Sequence, residues 1–211
     1  MQPATLWLAE QTPAESGDTL RLMDGTPVPC GRSRVTVKRS NLFGWAGYGF
    51  EASHSRWYWG SKLLLITTPG GMITGFGLAN PKLFGEREQA RLLLTTAPQH
   101  RPAPGSVVVA DKGFSGRPLE DVFTALNLTL VRPERRNEKN PRPPFPAWLR
   151  QRVEAVISTL KEHLHLEEHH GRTASGLWAR VVQRLLTLNA VIWHNWAIGA
   201  KVKRSVINYD H

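Results

Sequence analysis

The feature that most constrains this chain is a short apolar run that ends on a carboxylate. Ser106-Val107-Val108-Val109-Ala110 reads as a buried strand, and Asp111 follows it directly, ahead of Lys112-Gly113-Phe114-Ser115-Gly116. β-branched residues in a row favour a strand covered on both faces. The glycines beyond let the backbone turn sharply away. An acid held at such a tip suits a metal-binding corner, and it also suits a plain turn, because Asp bonds readily to nearby backbone amides. Partners elsewhere in the chain must decide between the two.

The balance of charge narrows the choice of partner. Of 211 residues, 27 are Lys or Arg and 17 are Asp or Glu, a net charge of +10 with 41% hydrophobic residues. That length and apolar content support one domain with a real core. The excess of cations favours a polyanion, nucleic acid first, although charge also serves solubility. Cys30 is the single cysteine, which excludes an intramolecular disulfide and a cysteine-rich zinc site and fits a reducing cytosol. The first 20 residues lack the pattern of a signal peptide, and the apolar stretch near Leu185 to Ile198 is interrupted by His194 and Asn195. No membrane segment is expected.

Along the chain, residues 1–18 read as an irregular N-terminal segment and residues 201–211 as a basic tail, with one domain over residues 19–200 between them. Thr19 to Met23 is a short strand closed by the turn Asp24-Gly25-Thr26-Pro27-Val28-Pro29, and Ser33 to Ser55 is a glycine-rich basic loop. Leu63 to Thr67 and Met72 to Leu78 flank Pro69-Gly70-Gly71 as a hairpin. Then helix and strand alternate: Gly85 to Ala97, Val107 to Ala110, Leu119 to Leu126 and Leu128 to Val131. A basic, proline-rich linker, Arg132 to Pro146, carries Arg135, Arg136, Lys139 and Arg142. Helices from Ala147 to about Leu166 and Ala174 to about Ile198 finish the chain.

In the first of those helices Val153, Ile157, Leu160 and Leu164 form an apolar stripe. Arg150, Glu154 and Lys161 are separated by four and then seven residues, so on a regular helix they lie within about 60° of one another beside that stripe. Such a row is commonly a solvated ion-paired face. It equally places Glu154 where its carboxylate can reach a metal while the helix packs on a sheet.

The order of the pieces favours the second reading. One acid follows the first strand, another follows the fourth, and a third rides a later helix that crosses the sheet: Asp24, Asp111 and Glu154, the acidic triad of a ribonuclease H-like fold. The chain resembles the DDE transposases of bacterial insertion sequences, within the retroviral integrase superfamily. The likeness runs from Leu20 to about Ile198. It rests on Leu22-Met23-Asp24-Gly25-Thr26-Pro27-Val28-Pro29-Cys30, Tyr58-Trp59-Gly60-Ser61-Lys62-Leu63, Ala110-Asp111-Lys112-Gly113-Phe114, and Arg150, Glu154 and Lys161. Three residues separate Arg from Glu and six separate Glu from Lys, as in the Tyr-Arg-Glu-Lys signature of those enzymes. The tyrosine position falls on Ala147, beside Trp148. The compact catalytic region looks like the insertion-sequence 982 type.

The resemblance implies an α/β, ribonuclease H-like fold: a five-stranded mixed sheet flanked by helices, with a C-terminal helical extension. It implies strand cleavage and transfer on DNA, with two Mg2+ ions, for which Mn2+ substitutes, held by Asp24, Asp111 and Glu154. Lys161, Arg150, Arg172, Lys62 and Lys112 are the expected DNA contacts. Insertion-sequence ends and target DNA are the expected partners, with a homo-oligomer in a synaptic complex, in the bacterial cytoplasm at the nucleoid. Such transposases usually carry an upstream segment that helps recognise element ends, and 23 residues precede Asp24 here. A truncated, inactive copy acting as a DNA-binding or dimerising regulator is therefore the alternative.

Other features receive structural readings. His163, His165, His169 and His170 cluster near a helix end, but His163 and His165 diverge on a helix and no cysteine is near, so contact with phosphate suits them better than zinc. Trp178, Trp193 and Trp196 stand among Val181, Leu185, Leu188 and Ile192 at helical spacing and are expected in the core. Cys30, without a His-Asp partner nearby, is expected to be structural.

Overall fold

The computed structural model describes residues 1–12, 17–31, 34–51, 55–134 and 145–206. The cations Arg135, Arg136, Lys139 and Arg142 of the proline-rich stretch lie outside the described residues, as do residues 207–211 of the tail. Helix α1 (Gln2–Glu10) precedes strand β1 (Leu20–Gly31), helix α2 (Arg34–Arg39), and strands β2 (Gly47–Glu51), β3 (Arg56–Thr67) and β4 (Ile73–Ala79). Helix α3 (Glu86–Thr96), strand β5 (Val107–Ala110), helix α4 (Arg117–Ala125) and strand β6 (Thr129–Val131) follow. Helices α5 (Ala147–Ser158) and α6 (Ala174–Ala197) complete the described elements.

The sheet is mixed and six-stranded, in the order β2-β3-β1-β5-β6, with β4 also paired to β3. β1 pairs antiparallel with β3 and parallel with β5, and β5 pairs parallel with β6. β2 and β4 share the same edge of β3, β2 on residues 56–60 and β4 on residues 62–67. Without β2, the order is β4-β3-β1-β5-β6, the five-stranded ribonuclease H-like arrangement expected from the sequence.

Three local expectations are corrected. Residues 1–18 are not irregular throughout: residues 2–10 form α1, whose Ala9 and Leu6 pack into the main core. The stretch read as a loop from Ser33 to Ser55 contains α2 and the additional strand β2. β1 does not stop at Met23 but continues through Asp24 to Gly31, so the expected turn is strand. Pro27 and Pro29 made that segment look like a turn. Residues two apart in a strand aim their amides at the same edge, and β1 has no β5 partner beyond Met23. The missing N–H groups therefore remove no rung of the ladder with β3.

Helices cover both faces of the sheet. On one face α3 and α4 bury Leu93, Leu94, Leu119 and Phe123 against Met23, Leu64, Ile66 and Val108. On the other, α6 buries Val181, Leu185, Leu188 and Ile192 with Leu63, Leu65 and Phe76, while α5 sets Leu149 and Val153 on Leu22 and Val109. Each fully buried aliphatic side chain contributes about 1.5–3 kcal/mol. β3 and β1 approach so closely at Gly60 that a Cβ there would collide with the Val28 carbonyl oxygen. Trp178 packs on Phe76 with ring centroids 5.7 Å apart. Trp193 and Trp196, expected in the core, are instead 39% and 36% exposed, in the last turns of α6, which ends at Ala197.

One buried amide joins three elements. Asn189 of α6 donates through Nδ2 to the carbonyls of Thr5 (2.8 Å) and Ile73 (2.9 Å), and its Oδ1 accepts from the Ile73 amide at 2.8 Å. Asn189→Ala leaves all three backbone groups without that partner in a dry interior, so it is expected to lower unfolding stability by about 2–4 kcal/mol. Urea titration against wild type measures this; a loss below about 1 kcal/mol would show that the elements are held without the amide.

Candidate active site

The last rung of the parallel pairing between β1 and β5 joins Met23 to Ala110. The next residue on each strand is an acid, Asp24 and Asp111. Neighbouring strands run about 4.8 Å apart, and alternation carries both side chains to the face where Leu22 and Val109 meet α5. Asp24 thus stands inside a strand rather than at its end, yet it is level with Asp111, which does end its strand. Phe145, Leu149, Arg150 and Val153 close over the two acids.

Each carboxylate is held by the chain that follows it. Asp24 Oδ1 accepts from the Gly25 amide at 2.7 Å, and Asp111 Oδ1 accepts from the Lys112 amide at 2.6 Å. Each bond restrains its carboxylate through one oxygen. Burial pushes Asp24 up to about 6 from 3.8; the Gly25 amide opposes the shift, Glu86 and Asp111 add to it, and Arg150 reduces it.

Glu86 was not singled out in the sequence. It opens α3, where the unpaired amides of a helix start favour a carboxylate, and it forms an ion pair with Lys62. A Cβ at Gly113 would lie 2.5 Å from Glu86 Oε2, and one at Gly25 would lie 3.0 Å from Lys62 Cε and 3.5 Å from Glu86 Oε1. The pair therefore packs against the backbone just beyond both acids, and two glycines make room for it. Gly85-Glu86 ahead of an amphipathic helix signals a helix start, but nothing local in the sequence connects it to Asp24.

Arg150 and Glu154 lie on α5 above the acids. Arg150 Nε bonds Glu154 Oε1 at 2.9 Å, and its Nη1 stands 4.0 Å from Asp111 Oδ1. The guanidinium thus bridges the helix acid and the strand acid. As the side chains stand, no three His, Cys, Asp or Glu groups among the described residues are gathered closely enough to hold a metal ion.

Lys161 is placed elsewhere. α5 ends at Ser158 and winds on as a π-helical turn, Thr159–His163, which rotates fewer degrees per residue. That carries Lys161 off the Arg150–Glu154 row expected of an unbroken helix to Leu166. Its Nζ bonds Glu51 at 3.2 Å and Glu167 at 2.9 Å, and both acids also bind Arg56, at 2.5 and 3.2 Å. Lys62 is committed to Glu86, while Lys112 beside Asp111 and Arg172 before α6 are exposed. His169 is buried and bonds the Pro29 carbonyl through Nε2 at 2.9 Å, and its Nδ1 accepts from the Gly171 amide at 2.9 Å. Burial lowers its pKa, so it is a neutral structural residue. Cys30 is a free, half-buried thiol pushed up to about 11 by burial.

The strand order and flanking helices define a ribonuclease H-like fold that sets two acids level on neighbouring strands. A family model described as a transposase DDE domain matches residues 15–190, and the chain belongs to that family. Among solved structures, the catalytic core domain of BIV integrase is similar at 14% identity and a TM-score of 0.49, with 82% of this chain and 84% of that chain covered. The Mos1 transposase catalytic domain, solved with Raltegravir and Mn, is similar at 11% identity and a TM-score of 0.32, covering 97% and 92%. A pre-cleavage Mos1 transpososome gives 12% identity and a TM-score of 0.29, covering 97% and 61%. No curated protein matches the chain at a significant level.

The raised Asp24 has a measurable consequence. Its folded value of about 6 lies above the free value of 3.8, so its contribution to stability is full below pH 3.8 and is lost as pH rises through 6. Asp24→Asn is expected to melt about 3 °C or more above wild type at pH 7, with the difference vanishing near pH 4. Differential scanning fluorimetry across pH measures both; a variant no more stable than wild type at pH 7 would show that Asp24 is not strained by charge.

Proposed function

We propose that this chain is the catalytic domain of an insertion-sequence transposase, of the insertion-sequence 982 type, that cleaves DNA at the element's ends and joins it to target DNA. The observation that carries this reading is the level pairing of Asp24 and Asp111 at the end of the β1–β5 ladder. Two acids one strand-spacing apart, one with its pKa raised by burial and by neighbouring acids, fit a hard divalent cation, because oxygen donors of like charge gain most from sharing one. Asp24 and Asp111 would hold Mg2+, with Glu154 added from α5. When bound, two such ions activate the attacking oxygen and neutralise charge on the leaving one, and Mn2+ would substitute.

The protein's own groups do the rest. The Gly25 and Lys112 amides hold the two carboxylates in place, which removes the cost of ordering them when the substrate arrives. Arg150 already spans Asp111 and Glu154, so a phosphate brought to the acids would meet its guanidinium, and the exchange would release Glu154. Guanidinium suits phosphate through its fork of donors. Lys112 would bind the strand beside Asp111. Lys161 has a different part: bound to Glu51 and Glu167, it ties the turn after α5 to the β2–β3 hairpin. Action on element ends in the bacterial cytoplasm, by a homo-oligomer that brings two ends together, completes the proposal.

The test is cleavage of a labelled element end in Mg2+ or Mn2+. Asp111→Asn is expected to lose at least about a hundredfold in rate, as would EDTA treatment of wild type, while DNA binding persists. Arg150→Ala is expected to weaken both binding and cleavage, less completely. A wild-type chain that binds DNA but cleaves none under these conditions would set aside the catalytic reading in favour of a regulatory one.

A further inference from the structure

A second site lies away from the acids. Beyond Asp24, β1 runs about 17 Å to Pro29, at roughly 3.3 Å per residue, and there one wall of an open cleft of about 1150 Å3 begins. It is larger than the roughly 300–1,000 Å3 typical of a small-molecule pocket. Tyr48 of β2 and Trp57 of β3 line it together with Arg39, Arg56, His170 and Arg172.

The aromatic side chains are in the wrong place for a core. Trp57 is 72% exposed and Tyr48 is 48% exposed. Trp57 faces Phe50 across the β2–β3 pair, with ring centroids 5.3 Å apart, so its ring is braced from one side. The rest of the cleft is also braced. Arg56 is anchored to Glu51 and Glu167, and Lys161 joins both acids. His169 fastens the segment bearing His170 and Arg172 to the end of β1. Arg39 and Arg172 are exposed, and neither has an ion-pair partner among the described residues.

We propose that this cleft binds an unpaired stretch of DNA strand, with bases stacked on Trp57 and Tyr48 and phosphates on Arg39 and Arg172. The identity of the strand as DNA rests on the transposase reading. A duplex hides the faces of its bases inside the stack, so exposed ring faces recognise only bases that have left it. Free guanidinium groups beside rings supply the sequence-tolerant half of the same recognition. A second copy of this chain would bring another +10 of charge towards these arginines, whereas a nucleic acid strand neutralises them. The distance along β1 places the cleft about 17 Å from a phosphate held at Asp24 and Asp111, a span of a few nucleotides of an unpaired strand. The strand near the cut would therefore be held open while its duplex continues elsewhere.

The experiment uses the whole chain, a fluorescein-labelled 12-nucleotide oligothymidine and a 12-base-pair duplex, read by anisotropy. Trp57→Ala is expected to weaken oligothymidine about tenfold and the duplex less than twofold, with Trp57→Phe close to wild type. Tyr48→Ala provides the same ratio should Trp57→Ala fail to fold, which circular dichroism reports. Equal losses for both DNAs, or none, would overturn the proposal. So would a Trp57→Ala variant that dissociates an oligomer in sedimentation while binding oligothymidine normally, since the surface would then belong to a second copy. Asp111→Asn leaves the cleft intact and should keep the preference for oligothymidine. Loss of cleavage alone therefore bears on the transposase reading, and loss of the Trp57-dependent ratio bears on the cleft.

Discussion

The parallel pairing of β1 with β5 is the constraint from which the rest follows. β1 is hydrogen-bonded on both sides only as far as Met23, and the ladder ends where two acids stand side by side. A slip of one residue would turn Asp24 to the opposite face, because side chains alternate along a strand. That register is held by burial on both faces: Leu22 and Val109 lie under α5, while Met23 and Ala110 lie under α3 and α4. The acids are therefore placed by apolar packing, and the price is the unfavourable charge that Asp24 carries at neutral pH.

Two ion clusters flank that centre and serve different ends. Lys62 and Glu86 sit against the glycine backbones beyond Asp24 and Asp111, which adds a third carboxylate behind the acids together with a cation that neutralises it. Arg56, Glu51, Lys161 and Glu167 join β2, β3 and the segment after α5. In that group the buried Glu51 is lowered despite its burial, since Arg56 and Lys161 outweigh the loss of water. A buried acid with two cationic partners is costly to disturb. The hairpin with the exposed aromatic rings is thus fixed to the helix that carries Glu154.

Much of the fold was legible because its signals were local. The Val107-Val108-Val109-Ala110 run, the hairpin around Gly70 and Gly71, and the periodic helix from Ala174 each state their own structure within about ten residues. Asp111 was legible for the same reason. The errors arose where a tertiary partner decides: Pro27 and Pro29 are strand residues only because one edge of β1 is unpaired there, and Gly47 to Glu51 is a strand only because β3 runs beside it. The Arg150–Glu154 bond follows from helical spacing. Lys161 does not, because the winding changes after Ser158, where Leu160 is fully buried in the main core.

The same distinction explains why the sequence points to Asp24 and Asp111 and not to Glu86 or the aromatic cleft. An acid at a strand tip has a sequence signature, whereas a carboxylate that reaches the site from a helix start has none until the helix is packed. Phe43, Trp45, Tyr48, Phe50 and Trp57 are unusually dense for one short stretch, most of which reads from the sequence as a glycine-rich basic loop. In the structure all five are exposed. Strand alternation accounts for part of this: Tyr48 and Phe50 share one face of β2, and Gly47, Gly49 and Glu51, which take the other, are buried. Apolar side chains turned outward while small and charged ones turn inward invert the usual pattern of a half-buried strand. The buried Glu51, paired with Arg56 and Lys161, holds that inversion in place and leaves the rings as a contact surface on the outward face.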